Sequence, residues 1–274
     1  MQEISDRYPV WLCDVWGVIH DGVRNFPDAC EALRRHRLNY GIVILLTNAP
    51  RPREDVMRQL AGLSIAPSCY DLVITSGDVT RALVRRHAGG KVFHLGPERD
   101  LGLLSGLNVE VAGLAEAKAV VCTGLSDDAS ETPDDYASLL AQMREHGLEM
   151  ICANPDKRVR RGNKLIYCAG AIAERYAVMG GEVAMAGKPF APMYELAESE
   201  ASQRLGRACE KSQMLAIGDG PETDIAGAAA FGIDTVLIAH GVSHGHTPEA
   251  LAETVQALVP DAHIVRTLSE LKWS

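Results

Sequence analysis

The chain has 274 residues, 47% of them hydrophobic, and a formal net charge of −9, enough material for one large domain or two smaller ones with a buried core. No lysine- or arginine-rich block forms a continuous stripe, which argues against a nucleic-acid partner; Arg34, Arg35 and Arg37 read as the solvated face of a helix. No apolar run reaches the ~20 residues of a membrane span, and the opening MQEISDRYPV has no basic segment followed by an apolar one. The seven cysteines are scattered and never spaced as C-x-x-C, which suits a reducing compartment, so a soluble cytoplasmic protein is expected. Several lie in apolar runs, where a thiol packs as a small hydrophobe.

In chain order, short apolar runs alternate with amphipathic stretches. A strand is expected over Val10–Cys13, then a helix over Asp28–Leu38; a strand over Ile42–Leu46, then a helix over Arg53–Leu60; a strand over Leu72–Thr75, then a helix over Val79–Arg86. Strands follow at Val92–Leu95, Ala119–Thr123 and Glu149–Ala153, with helices at Pro133–Glu145 and Ala169–Val178. The last part alternates a helix at Met193–Arg204, a strand at Met214–Gly218, a helix at Thr223–Ala230, a strand at Thr235–Ala239 and a helix at Glu249–Leu258. The strands read as continuous apolar runs, the mark of burial on both faces, so the expected fold is α/β with a doubly wound parallel sheet.

Two glycine pairs, Gly89-Gly90 and Gly180-Gly181, each lie between a helix-like and a strand-like stretch, as hinges or as helix C-caps. The roughly ninety residues between them have their own alternation and the size of a small domain. A core of residues 1–89 and 184–274 with a second domain inserted at 90–183 is expected.

Ligands of an open parallel sheet bind beyond the carboxyl ends of its strands, so polar residues just after the strand-like runs matter most. Asp14 follows the first run, Thr47 and Asn48 the second, and Asp219 a later one in MLAIGDGPETD; Lys188 stands in AMAGKPFAPMYELA. Together they suit phosphoryl transfer: a carboxylate nucleophile, a hydroxyl, an amide and an ammonium for phosphate oxygens, and Asp14, Asp219 and Asp224 as oxygen ligands for magnesium.

The stretches DVWGV, LLTN, GKP and GDGPETD resemble, in that order, the four motifs of the haloacid dehalogenase-like hydrolases. The insertion between the second and third resembles the class II cap of subfamily IIA, which contains nucleotide, sugar-phosphate, 4-nitrophenyl phosphate and pyridoxal phosphate phosphatases. TSGDVT, NPD and GIDTVLIAHGVS are similar to segments of that subfamily. The resemblance implies a Rossmann-like core with a cap, attack by Asp14 on phosphorus, phosphate binding by Thr47 and Lys188, and magnesium on Asp219, on Asp224 directly or through water, and on the backbone carbonyl of Trp16. The implied substrate is a small phosphorylated metabolite such as a sugar phosphate or nucleotide. A homodimer through the cap is an open alternative.

The sequence departs from that family at Trp16, where the phosphatases carry a second aspartate as general acid and base. An indole N–H donates a hydrogen bond but cannot exchange a proton near neutral pH. Three consequences are open: a substrate whose leaving group needs no proton, a substitute carboxylate at Asp21 or Asp156, or a protein that binds a phosphorylated ligand without turnover. Asp21 also reads as a turn former with Gly22, and Asp156 as the start of a loop before the basic run Lys157–Arg161, itself expected as a substrate-facing or solvated loop. Dehalogenation, which needs neither the acid nor magnesium, fits poorly with the retained Asp219 and Asp224. His240, His244 and His246 match no familiar zinc spacing.

Overall fold

The structure, a computed structural model, describes residues 1–39, 41–161, 164–239 and 248–273, so His240, His244 and His246 lie outside the described residues. Its strands are β1 (Val10–Asp14), β2 (Ile42–Thr47), β3 (Leu72–Thr75), β4 (Lys91–Leu95), β5 (Glu110–Val111), β6 (Ala119–Cys122), β7 (Glu149–Cys152), β8 (Arg158–Arg161), β9 (Lys164–Tyr167), β10 (Val183–Met185), β11 (Met214–Gly218), β12 (Asp234–Ile238) and β13 (Ile264–Leu268). The helices are α1 (Gln2–Arg7), α2 (Pro27–Leu38), α3 (Arg53–Gly62), α4 (Ser76–Val84), α5 (Ala137–Glu145), α6 (Ala169–Val178), α7 (Ala191–Leu205), α8 (Ala226–Phe231) and α9 (Pro248–Leu258). No helix among the described residues is long and apolar enough to cross a membrane.

The chain divides into two compact units, one of Met1–Thr47, Arg53–Ile74 and Lys188–Ser274, the other of Asn48–Pro52 and Thr75–Gly187. The first unit is built on a six-stranded sheet in the order β13-β12-β11-β1-β2-β3. The pairs from β13 through to β2 are parallel. Every residue of β1, β2 and β11 is buried, which explains why these strands are apolar throughout rather than alternating. The chain fills β2 and β3 on one side of β1 and β11 to β13 on the other, so strand order reverses at β1, where such sheets leave a crevice at their carboxyl ends. Beside the sheet, Leu251 and Val255 of α9 pack with Ile225, Leu237 and Ala262.

The second unit repeats the doubly wound plan on a smaller scale, with a parallel sheet in the order β10-β7-β6-β4-β5. Its core joins Val120 and Cys122 of β6, Met150 of β7, Leu140 and Met143 of α5, and Ile172 and Tyr176 of α6. The run Lys157–Arg161, expected as a loop, instead enters the antiparallel hairpin β8–β9, in which Arg158 pairs with Tyr167. There Arg158 donates to the Tyr167 hydroxyl at 2.7 Å and its guanidinium lies 4.5 Å from the ring centre, a cation–π contact that holds the start of the basic run in the hairpin.

The Gly180-Gly181 pair closes α6. Gly180 at φ +82° donates to Ala177 O at 2.9 Å and Gly181 to Tyr176 O at 2.9 Å, the paired bonds of a Schellman cap, and a Cβ on Gly181 would stand 2.4 Å from the Tyr176 ring. Helix α4 begins at Ser76, three residues earlier than expected. Thr75 caps it, accepting from the Asp78 N–H at 2.9 Å while the Asp78 carboxylate receives the Thr75 N–H.

Candidate active site

The carboxyl edge of the first unit's sheet brings four of the candidate residues together. Asp14 is the last residue of β1, and the register sets it opposite Leu46, one residue before Thr47, the last of β2. On the other flank Cys13 pairs with Ile217, so Asp219, just after β11, emerges at the same edge. Asp14, Asp219 and Asp224 each present a carboxylate oxygen within 4.8 Å of the others. The Lys188 ammonium donates to Asp14 Oδ1 and, at 2.7 Å, to Asp224 Oδ1. All four are buried, between 3% and 7% exposed.

Asp224 reaches this point through local backbone geometry. Strand β11 leads into a π-helical turn, Pro221–Ile225, before α8, where the sequence suggests a continuous helix over Thr223–Ala230. In that turn both Asp224 and Ile225 donate to Gly220 O, at 2.9 and 3.1 Å, and Gly220 N–H returns a bond to Asp224 Oδ2 at 3.1 Å. The wider turn rotates the Asp224 carboxylate back over β11. Gly218 and Gly220 leave the space it needs: a Cβ on Gly218 would lie 2.3 Å from Asp224 Cβ, and one on Gly220 2.2 Å from Thr223 Oγ1. Sequence reasoning missed these two glycines as determinants of the site; their flanking of Asp219 was the available signal. Tyr194 of α7 was also missed. Fully buried, it donates to Asp224 O at 3.4 Å and packs against α8 at Gly227, where any Cβ would stand 2.3 Å from its hydroxyl.

Three buried carboxylates face one ammonium here, leaving an excess of two negative charges among these groups. Burial pushes the Asp14 carboxyl well above the usual carboxylate range; Lys188 opposes that shift, and Asp224 and Asp219 reinforce it by repulsion. Burial would pull the Lys188 ammonium down, but Asp14 and Asp224 more than offset it and keep Lys188 protonated. An all-oxygen cluster that is doubly negative once all three carboxylates are ionised fits a hard divalent cation such as magnesium, and a cation there would favour the ionised Asp14 that a nucleophile requires.

The remaining candidates are held by other contacts. Trp16, in the loop after β1, is 52% exposed, with His20 edge-on at 5.4 Å between ring centres. Gly22 at φ +87° supports the indole from beneath, since a Cβ there would come within 2.3 Å of Trp16 Cη2. Asp21 is committed to its own turn: Oδ1 accepts from Val23 N–H and Arg24 N–H, both at 2.9 Å, and Arg24 Nε bonds Oδ2 at 3.1 Å. These bonds hold its carboxyl below the usual range, the opposite of what a general acid needs. Asn48 and Asp156 belong to the second unit, where Asn48 Nδ2 donates to Asp156 Oδ1 at 3.0 Å. Gly187 approaches the same pair so closely that a Cβ would lie 2.6 Å from Asn48 Oδ1.

Two family models match the chain, one described as haloacid dehalogenase-like hydrolase over residues 11–110 and one as HAD-hydrolase-like over residues 185–271. A solved hydrolase of the haloacid dehalogenase-like family from Brucella suis 1330 is 43% identical, with 99% of this chain and 98% of that one covered and a TM-score of 0.86. A 5'-nucleotidase of Bacillus subtilis is 24% identical over 86% of this chain and 89% of its own length. A glycerol phosphate phosphatase from Mycobacterium tuberculosis, solved in complex with magnesium, shares the fold at a TM-score of 0.72 and 23% identity, covering 97% of this chain and 77% of that one. With the strand-exit aspartates and Lys188 gathered at one sheet edge and a relative of 43% identity over nearly its full length, the chain belongs to the haloacid dehalogenase-like hydrolases, subfamily IIA, and is a hydrolase.

Proposed function

We propose that this hydrolase is a magnesium-dependent phosphatase that cleaves a phosphoric monoester or phosphoanhydride of a small metabolite, in the sugar-phosphate or nucleotide class, through an aspartyl-phosphate on Asp14. The observation that carries the reading is the buried trio Asp14, Asp219 and Asp224 joined by Lys188 where the sheet order reverses. One Asp14 carboxylate oxygen attacks phosphorus, the bond to the leaving oxygen breaks, and the electron pair departs with the leaving group. Water then attacks phosphorus, releasing inorganic phosphate and restoring the carboxylate. Lys188 and Thr47 supply an ammonium and a hydroxyl donor for the phosphate oxygens. Magnesium held by Asp14, Asp219, Asp224 and the Trp16 carbonyl would neutralise charge between nucleophile and phosphate. We assign the choice of leaving group to the second unit, the cap of the sequence reading.

Trp16 narrows the substrate. No carboxylate stands at its position, Asp21 is held ionised in its turn and Asp156 accepts from Asn48, so in this reading departure depends on the leaving group's own acidity. Acyl phosphates, phosphoanhydrides and aryl phosphates meet that condition better than alkyl phosphates. The same substitution favours a second reading, a protein that binds a phosphorylated ligand without turning it over. Steady-state hydrolysis of acyl, aryl and alkyl phosphates by the protein and by Asp14→Asn separates the two. Magnesium-dependent turnover that disappears in Asp14→Asn supports the phosphatase, and absence of such turnover on all three classes leaves only the binding protein.

A further inference from the structure

We propose that Trp16 is a specificity-determining residue whose indole stacks on an aromatic ring carried by the leaving oxygen, so that the substrates are phosphoric monoesters of phenols; this rests on the phosphatase reading above.

Among the described phenylalanine, tyrosine and tryptophan side chains only Trp16 and Phe190 are exposed, at 52% and 38%. Each follows a residue of the site by two positions, Trp16 after Asp14 and Phe190 after Lys188, and Asp14 and Lys188 are bonded to each other. Two residues of chain span at most about 7 Å, so both aromatic residues leave the backbone beside the carboxylate–ammonium pair. Val23, 85% exposed, stands on the same loop as Trp16. Groups that suit a phosphate thus have open apolar side chains as close neighbours along the chain, the combination that a phosphate with an aromatic substituent requires.

A single exposed tryptophan is ordinary on a protein surface. This one is held by a loop built around it. Gly17 N–H donates to His20 O at 2.8 Å, Ile19 N–H to Val15 O at 3.0 Å and Phe26 N–H to Ile19 O at 2.8 Å. His20, itself buried, accepts from Gly22 N–H on Nδ1 at 3.0 Å and sets its ring at 79° to the indole. Gly22, at φ +87°, omits the side chain that would collide with the indole's benzo end, where a Cβ would lie 2.3 Å from Cη2, 2.9 Å from Cζ3 and 3.0 Å from Cζ2. The indole is therefore fixed before a ligand arrives, with about half its surface open, and stacking on it costs little ordering.

Reach and acidity select the same ring. A ring joined directly to the leaving oxygen begins next to phosphorus, whereas a nucleobase is held away from phosphorus by its ribose. A phenolate departs with the P–O electron pair and needs no donated proton, which matches the absent acid. The residue that takes the place of the acid also supplies the aromatic surface. Because the ring stacks alike before and during P–O cleavage, the contact lowers KM and has little effect on kcat at saturating substrate.

The test uses phosphonates, which are not hydrolysed, so binding is read without turnover. Titration calorimetry of the full chain with magnesium compares benzylphosphonate, the analogue of phenyl phosphate, with ethylphosphonate. The protein should bind the benzyl compound about tenfold more tightly. Trp16→Leu should cut that ratio by about five- to tenfold, and Trp16→Phe, which keeps a ring, should retain most of it. Gly22→Ala, which displaces the indole without removing it, should lower the ratio as well. The affinity for α,β-methylene adenosine diphosphate should change little in Trp16→Leu. Equal binding of the two phosphonates by the protein, or a ratio unchanged in Trp16→Leu, overturns the inference and leaves the phosphatase reading standing. An equal loss for the nucleotide analogue assigns the indole to a nucleobase and overturns it too. Failure of both phosphonates to bind overturns the phosphate site of the proposed function, and the inference with it.

Discussion

Replacing Lys188 by methionine keeps most of the side-chain volume and removes the one ammonium seen to bridge Asp14 and Asp224. With carboxylate oxygens no more than 4.8 Å apart, repulsion between any two of the three is about 3.5 kcal/mol or more at an effective dielectric of 20. Proton uptake by one carboxylate caps that cost, so the net loss of stability is expected near 3–5 kcal/mol, the usual result of breaking a buried pair from one side. The three tryptophans, Trp11, Trp16 and Trp273, all belong to the first unit, so urea unfolding followed by tryptophan fluorescence reports on the unit that holds the site. In a chelator-containing buffer Lys188→Met should unfold at clearly lower urea than the wild type, and saturating magnesium should narrow the gap. Unfolding of the variant at the wild-type midpoint in chelator would refute the reasoning, because the ammonium would then offset no repulsion.

Three further outcomes are expected. Trp16→Asp, which restores a carboxylate two residues after the nucleophile, should speed alkyl phosphate hydrolysis by about 10²–10⁴-fold while changing aryl phosphate hydrolysis little; a fall on both substrates would mean that the indole itself orients the site. Gly22→Ala should displace the indole, because of both its φ of +87° and the 2.3 Å approach to Trp16, and cost about 1 kcal/mol or more, visible as a changed near-ultraviolet dichroism and a lower urea midpoint. His36 is buried against Trp11, stacked at 3.8 Å, and burial pulls it from 6.5 down to about 4. The unfolded chain therefore binds the proton more readily, and the stability fully present above pH 6.5 is lost as pH falls toward 4, by roughly 3 kcal/mol. His36→Phe, which can keep the stack, should flatten that part of the urea-midpoint profile; an unchanged slope between pH 6.5 and 4.5 would contradict the assignment.

The central strands were legible because burial on both faces makes them continuously apolar: β1, β2 and β11 fell within one residue of expectation. The strands that went unread lie at edges or outside the main sheets. All five residues of β13 are half-buried and include Arg266, β5 is two exposed residues, and β8 carries a basic run. Their hydrogen bonds are satisfied by a neighbouring strand, which leaves little trace in hydrophobic patterning. Helix α1 is six residues long with only Ile4 and Ser5 buried, too short for a periodic signal. At the site, the identities of Asp14, Asp219, Asp224 and Lys188 could be collected as polar residues near strand exits, but the cluster that joins them depends on a π-helical turn and on space left by Gly218 and Gly220. Asn48 comes directly after that strand, but no local pattern foretells that its amide is bonded to Asp156, a residue distant in the sequence.

The most direct test of the proposed chemistry is to reduce the protein with borohydride during turnover of an aryl phosphate and to sequence the peptide containing residue 14 by mass spectrometry. An acyl phosphate on Asp14 should be converted to homoserine at that position, only when both substrate and magnesium are present. Turnover with an unmodified Asp14, or with homoserine at position 219 or 224 instead, would contradict nucleophilic attack by Asp14.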